Sequence, residues 1–154
     1  MTDLIMRRHI AASRETVFAF LVEREKLLRW LGVGADLDPV AGGKVRIDVT
    51  GGDVVEGEFL EITPPERVTF TWGWLGSRDV PPGSSTVTFD LVADGADTLL
   101  TLTHTGLPNG EDDSHAIGWT YFFRRLQQAA DGGAPGPVST AELETTTPIL
   151  EETR

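Results

Sequence analysis

The feature that most constrains this chain is a change in the spacing of its apolar residues. Between residues 44 and 104 apolar and polar residues alternate, whereas from residue 113 to residue 130 apolar residues recur every three or four positions. Alternation is typical of a β-sheet with one apolar face, and the later spacing is typical of an amphipathic helix. Because that sheet face needs a cover and only the last helix is long enough, the pattern predicts an α+β fold with the sheet curled around the helix.

Local signals place the other elements. A first strand is predicted over 4–10, and Ser13 is the predicted N-cap of the first of two short helices. The second helix is predicted over 23–31, before Gly32 and Gly34. About five antiparallel strands follow, and the first two form a hairpin whose turn spans residues 50–53. The final helix is predicted over 113–130, with capping residues at 112–114.

The end of the chain follows neither spacing. Residues 131–154 are rich in Gly, Pro, Thr and Glu, and they carry five acidic side chains against one arginine. We predict a single domain over residues 1–130 and an acidic, disordered tail over residues 131–154. The alternative is that the segment around Ile149 binds a partner.

Charge and composition exclude several classes of function. The 154 residues include 24 acidic and 13 basic residues, which gives a net charge of −11. Such a surface repels nucleic acid and anionic lipid, so neither nucleic acid nor membrane is an expected partner. The N-terminus carries Asp3, Arg7 and Arg8 in place of an apolar signal segment, so we expect a cytoplasmic protein. The absence of cysteine excludes disulfides, thiolate nucleophiles and Cys-ligated metals.

A sheet that grips one helix leaves space between the two, and a small-molecule pocket is expected there. Burial of apolar surface would hold a ligand, and His104 would orient it. Gly118 lies on the same face of the helix, where it indicates either close packing or room for a ligand. The predicted ligand-binding residues are Trp30, Phe70, Trp72, Trp74, Phe89, Leu102, His104, Trp119 and Phe122.

Two histidines lie on predicted inward faces. His104 either contacts a ligand, as an orienting group or a general base, or braces the end of its strand by hydrogen bonds to its neighbours. His115 is predicted near the mouth of the cavity. Glu56 and Glu58 share one strand face, so Glu58 is a partner for His104 only if that face is concave. The apolar Leu60 and Ile62 share the same parity, and the alternative is a bulge that changes the facing midway along the strand. The histidines follow no metal-binding pattern, and we predict neither a metal nor a cofactor.

Seven short segments also occur in an order found in a known superfamily. They are A-S-R-E-T-V-F (12–18), L-R-W (28–30), D-P-V-A-G-G (38–43), G-E-F-L-E-I-T-P-P-E-R-V-T-F-T-W (57–72), T-V-T-F-D-L (86–91), L-T-L-T-H-T-G-L (100–107) and G-W (118–119). In this order they resemble the SRPBCC, or START-like, superfamily, and within it the bacterial stand-alone proteins related to the C-terminal domain of the Hsp90 ATPase activator. The resemblance covers residues 4–130. It implies a helix-grip fold, in which a curved antiparallel sheet wraps around a long C-terminal helix with a deep cavity between them.

Three functions remain open, because superfamilies of this kind host many activities. The first is a binding protein that holds a hydrophobic or aromatic molecule. The second is a cyclase, aromatase or hydrolase, which requires a histidine and a carboxylate within hydrogen-bonding distance inside the cavity, such as His104 and Glu58. The third is a stress-related, co-chaperone-like interaction domain, which requires an exposed apolar patch or an ordered tail. A homodimer joined through a sheet edge is compatible with all three.

Overall fold

Eight strands surround one long helix in the computed structural model, which describes residues 2–152. The strands lie in the order β2-β3-β4-β5-β6-β7-β1-β8, and all neighbours are antiparallel except β1 and β8. The predicted α+β helix-grip fold is therefore confirmed. The strands are β1 (Thr2–Ile10), β2 (Gly34–Leu37), β3 (Lys44–Asp48), β4 (Val54–Thr63), β5 (Arg67–Trp72), β6 (Ser85–Asp94), β7 (Asp97–Leu107) and β8 (Glu151–Glu152). The helices are α1 (Arg14–Val22), α2 (Arg24–Leu27), α3 (Glu111–Ala130) and α4 (Thr140–Glu144).

The short helices follow their predicted signals only in part. Ser13 is the N-cap of α1, and its hydroxyl accepts a hydrogen bond from the backbone N–H of Thr16 at 3.3 Å. The predicted second helix over 23–31 is shortened to α2, because the chain turns toward β2 through Gly32, which has a φ of 93°. The sequence does not predict β2, since the residues of Gly34–Leu37 have little intrinsic preference for a strand.

The sheet bends sharply within β4. Residues 54–58 of β4 pair with β3, residues 59–63 pair with β5, and the register shifts between Phe59 and Glu61. At the bend, a Cβ on Gly57 would lie 1.9 Å from the carbonyl oxygen of Thr71, so only glycine lets the strands approach this closely. The bend lets one sheet curve around α3.

The concave face of the sheet and the inner face of α3 form the core. Phe123 is fully buried, with its ring centroid 6.2 Å from that of Trp30 and 5.6 Å from that of Trp119. Burial of each such side chain contributes about 1.5–3 kcal/mol, so α3 is held by packing rather than by its own propensity. α3 begins two residues before the predicted start, and its N-cap is Gly110 rather than a side chain of residues 112–114.

Residues 131–152 differ from the predicted disordered tail. They contain α4 and β8, and the backbone N–H of Arg7 donates to the carbonyl oxygen of Leu150 at 2.8 Å. The hydroxyl of Tyr121 accepts from the N–H of Ser139 at 2.9 Å, and the N–H of Ile149 donates to Thr120 Oγ1 at 3.1 Å. Single hydrogen bonds of this kind leave no periodic signal in the sequence, which is why composition alone predicts disorder. We call residues 137–152 the C-terminal strap.

None of the helices within the described residues 2–152 is long and apolar enough to cross a membrane.

Candidate functional site

A cavity of about 490 Å³ opens beside the first half of α3. Its size matches that of small-molecule sites. The wall comes from four parts of the chain: the end of the α2 region, the β3–β4 hairpin with the end of β5, the first three turns of α3, and α4. The lining residues are Leu31, Val49, Thr50, Asp53, Trp72, Trp74, Glu111, Ser114, His115, Ile117, Gly118, Trp119, Phe122, Leu143 and Glu144.

The predicted site residues divide into two groups. Four of them, Trp72, Trp74, Trp119 and Phe122, line the cavity. The other five lie in the packed interior beyond the cavity. They are included in the prediction because alternation identifies the inward face of a strand, but it does not show how far along the strand the cavity extends. Those five are Trp30, Phe70, Phe89, Leu102 and His104, and each is at most 4% exposed.

His104 is enclosed in a complete hydrogen-bond chain. Trp119 Nε1–H donates to His104 Nδ1 at 3.2 Å, so the ring proton lies on Nε2, which donates to Ser85 Oγ at 2.9 Å. The Ser85 hydroxyl in turn donates to the carbonyl oxygen of Trp72 at 2.8 Å. Burial, together with the nearby His115, lowers the pKa of His104 to about 3. His104 is therefore a neutral brace between α3, β6 and β7.

His115 lies on the cavity wall with the opposite proton arrangement. Its Nε2 accepts from Trp74 Nε1–H at 3.1 Å, so Nδ1 carries the proton and donates to the carbonyl oxygen of Glu111 at 2.7 Å. Burial lowers the pKa of His115, while the hydrogen bond to the Glu111 backbone and the charge of the Glu111 side chain oppose this change. The prediction that His115 lies at the mouth of the cavity agrees with this position.

Neither histidine offers a free ring nitrogen to a substrate. Glu58 lies on the exposed side of β4, and Glu56 beside it pairs with Arg46 across the strands. The face that these two carboxylates share is thus the outer one, and Glu58 is not a partner of His104. Within residues 2–152, no three potential ligand side chains are grouped to hold a metal ion.

The aromatic wall contains one polar atom without a partner. Trp72 is 3% exposed, and its Nε1 is the only buried side-chain nitrogen or oxygen in residues 2–152 that makes no hydrogen bond. The Trp72 ring centroid lies 5.0 Å from that of Trp119 and 5.4 Å from that of Trp74. Such an unpaired donor normally costs about 1–3 kcal/mol, and it therefore calls for an explanation.

Gly118 faces the open part of the cavity. A Cβ built on this residue would meet no atom within 4 Å, although Gly118 lies in the interior of a 20-residue helix. Of the two explanations that its position in the sequence allows, close packing is therefore excluded. The absence of a side chain at Gly118 leaves this part of the cavity open.

Sequence reasoning does not find the residues that form the mouth. Thr50 and Asp53 belong to the β3–β4 turn, Glu111 and Ser114 to the first turn of α3, and Leu143 to the C-terminal strap. The hairpin turn is predicted correctly, and its position at the end of two concave strands is a usable signal. The strap offers none, since α4 has only five residues.

A bent antiparallel sheet, one long gripping helix and a cavity between them define the class of helix-grip proteins. Within that class, the chain belongs to the family described as "Activator of Hsp90 ATPase homolog 1-like protein", whose family model matches residues 11–131. This confirms the predicted resemblance.

The chain is similar to proteins from mammals and from bacteria. It is 24% identical over 133 residues to the human "Activator of 90 kDa heat shock protein ATPase homolog 1", a match that covers 85% of this chain and 38% of the human protein. The chain thus spans about two fifths of that relative. A solution structure of an AHSA1-like protein from Rhizobium etli is 43% identical, with a TM-score of 0.69 and coverage of 88% of this chain and 87% of that one. The Aha1 dimer from Colwellia psychrerythraea, 20% identical with a TM-score of 0.72, covers 88% of this chain and 100% of that one, and shares the fold.

Proposed function

We propose that this protein binds a small, mainly aromatic molecule in the cavity between α3 and the sheet. The observation that carries the proposal is the open volume of about 490 Å³ in front of Gly118. Glycine in a helix interior costs about 0.5–1 kcal/mol relative to alanine, and no packing contact at Gly118 accounts for that cost. A ligand that fills this space gives both features a purpose.

The wall supports an aromatic ligand with a hydrogen-bond acceptor. Trp72, Trp74 and Trp119 supply ring surfaces for stacking and edge contacts. The unpaired Trp72 Nε1–H would donate to a carbonyl or hydroxyl oxygen of the ligand. We therefore propose Trp72 as the group that orients the ligand, a role that the sequence pattern predicts for His104. Both ring nitrogens of His104 already have hydrogen-bond partners.

The test is a thermal-shift screen of neutral aromatic compounds against matched variants. Compounds that bind are expected to raise the midpoint temperature of unfolding of wild type and of the control variant Gly52→Ala. Gly52 suits a control because it lies in the exposed hairpin turn with no atom near its Cβ position. Gly118→Leu places a side chain in the cavity and should abolish the shift. Trp72→Phe should reduce it. A shift that survives undiminished in Gly118→Leu would place binding elsewhere and overturn the proposal.

A second candidate is a protein-interaction domain of the Hsp90-activator type. Two observations favour it: the family match over residues 11–131, and a C-terminal segment that packs against the fold rather than lacking structure. The test is the steady-state ATPase rate of a purified Hsp90 with and without this protein. A rate that rises with the concentration of added protein supports this candidate, and an unchanged rate at saturating concentration contradicts it.

An acid–base enzyme that uses His104 is not favoured. His104 is neutral and fully hydrogen-bonded, and no carboxylate lies within hydrogen-bonding distance of its ring in the described chain. His115 is 3.7 Å from the Glu111 carboxylate, but its two nitrogens are likewise occupied.

A further inference from the structure

We infer that the cavity selects aromatic ligands that carry a positively charged amine and discriminates against aromatic carboxylates. This inference rests on the proposed function and adds the charge of the ligand to it. It is drawn from the side chains at the mouth of the cavity, which the aromatic wall alone does not specify.

The mouth of the cavity is acidic. Asp53, Glu111 and Glu144 all line it, and no lysine or arginine of the described chain does. Some acidic side chains elsewhere are paired with cations, as in Asp90 with Arg67 at 2.6 Å and Asp36 with Lys44 at 3.1 Å. No Lys or Arg within residues 2–152 forms an ion pair with any of the three carboxylates at the mouth.

The one cationic candidate that the described residues place at the mouth is His115, and its ring is neutral because Nε2 accepts a hydrogen bond from Trp74 Nε1–H. It stands 3.7 Å from a Glu111 oxygen without neutralising it. The three carboxylates are also not grouped to hold a metal ion. Their negative potential is therefore left for a ligand to offset.

Each carboxylate keeps acceptor capacity for a ligand. Glu111 Oε2 accepts from Ser114 Oγ at 3.2 Å, and Asp53 Oδ2 accepts from Thr50 Oγ1 at 2.5 Å, which leaves the second oxygen of each side chain. Glu144 is exposed on α4 and faces the same opening. An ammonium group at the mouth would find several acceptors from three different elements.

The aromatic wall acts in the same direction. A cation close to the face of a tryptophan ring is attracted by the ring quadrupole, and Trp72 and Trp74 line the cavity next to this mouth. A carboxylate would lose hydration and meet three like charges, and Trp72 Nε1–H is the one buried side-chain donor of residues 2–152 that lacks a partner. One neutral donor does not offset that repulsion.

The experiment compares three ligands with the same ring system and different charge. Isothermal titration calorimetry near neutral pH would measure 2-naphthylmethylamine, 2-naphthylmethanol and 2-naphthoic acid against the full chain. We expect the amine to bind about tenfold more tightly than the acid, with the alcohol between them. Raising the salt concentration from about 0.05 M to about 0.5 M should weaken binding of the amine and leave the affinity for the alcohol nearly unchanged.

Matched variants assign the effect to the mouth. The triple variant Asp53→Asn, Glu111→Gln, Glu144→Gln is expected to bring the amine and the alcohol within about twofold of each other. The single variant Glu144→Gln should show a smaller change of the same sign. Glu25→Gln, which removes an exposed acidic side chain of α2 outside the cavity lining, should behave as wild type.

The outcomes separate this inference from the proposed function. Suppose that wild type binds the alcohol, that Gly118→Leu does not, and that wild type binds the acid as tightly as the amine. The cavity is then a ligand site without charge selection, and the inference fails while the proposed function stands. An amine preference that persists in the triple variant would overturn it as well. If none of the three compounds binds wild type, the inference and the proposal of a naphthalene-sized aromatic ligand fail together.

Discussion

At the scale of single residues, the two buried histidines show what a sequence can and cannot reveal. Alternation along β7 correctly places His104 on the inward face. It does not show that Trp119 and Ser85 occupy both ring nitrogens, because those partners are 15 and 19 residues away in sequence. The sequence leaves two explanations of His104 open, and its hydrogen bonds support the bracing one.

The neutral state of His104 gives the first prediction. Its pKa is about 3 in the folded protein and 6.5 in the unfolded chain, so the unfolded chain binds an extra proton between these values. The stability that the neutral His104 contributes is therefore present above pH 6.5 and is lost as the pH falls toward 3. Between about pH 7.5 and about pH 5 we expect the free energy of unfolding to fall by about 2 kcal/mol on account of His104. The lowered pKa of His115 adds a change of the same sign.

Urea denaturation at these two pH values measures the effect in wild type and in His104→Gln. The variant is expected to be less stable than wild type at the higher pH, because the amide of glutamine does not place its acceptor and donor at the positions of the two ring nitrogens. It should lose less stability on acidification, because it has no imidazole to protonate. An equally steep loss in the variant would show that His104 does not carry the pH dependence.

At the scale of elements, the strongly periodic segments are predictable and the irregular ones are not. The N-cap at Ser13, the β3–β4 hairpin and α3 follow from local patterns. The bend in β4 follows only in part: the shared parity of Glu58, Leu60 and Ile62 indicates a bulge, but the approach of the strands at the bend depends on contact between them. The sequence shows a glycine at position 57, and only the approach of the Thr71 carbonyl reveals why.

Gly57 gives the second prediction. Gly57→Ala puts a methyl group 1.9 Å from the Thr71 oxygen, so β4 and β5 must separate at the bend. We expect a loss of at least about 2 kcal/mol in the free energy of unfolding. Gly52→Ala is the matched control, since its Cβ meets nothing within 4 Å. That control should change the free energy of unfolding by less than about 0.5 kcal/mol. Equal effects of the two substitutions would contradict the structural role assigned to Gly57.

Gly118 gives the third prediction, with the opposite sign. Gly118→Ala adds a methyl group to open space in the interior of α3, where alanine is the better helix former. We expect the free energy of unfolding to rise by about 0.5–1 kcal/mol, measured by urea denaturation. A loss of stability would mean that Gly118 is required for packing, which would weaken the case for a cavity kept open for a ligand.

At the scale of the whole molecule, the site can be predicted only in part because its mouth is assembled from distant segments. The wall tryptophans lie in or beside periodic elements, and four of the nine predicted residues line the cavity. The mouth joins Asp53 of the hairpin turn, Glu111 at the start of α3 and Glu144 of the C-terminal strap. These residues are far apart in sequence, so no local pattern encodes their meeting.

The C-terminal strap gives the fourth prediction. In a chain that ends at Gly136, the buried Arg8 loses its hydrogen bond to the carbonyl oxygen of Ile149, and the cavity loses Leu143 and Glu144 from its wall. We expect the free energy of unfolding to fall by about 2–4 kcal/mol, since hydrogen bonds to buried charged groups are the costly ones to remove. A bound ligand should also dissociate faster, as measured by stopped-flow fluorescence.

A chain that ends at Thr147 separates the two effects. It keeps α4 beside the cavity and lacks Ile149, so it should lose stability while its ligand dissociation rate stays close to that of wild type. Faster dissociation from this shorter truncation would show that α4 does not itself cover the cavity.

The parallel pairing of β8 with β1 has a consequence for solubility. β8 has only two residues, and it pairs with Arg7 and Arg8 on the side of β1 that faces away from β7. Without it, the backbone groups of Arg7 and Arg8 would also be unpaired, and the outer edge of the nine-residue β1 would be open along its length. Such an edge is a template for strands of other molecules. Proteolytic loss of the last few residues is therefore expected to convert a well-behaved protein into one that self-associates at high concentration.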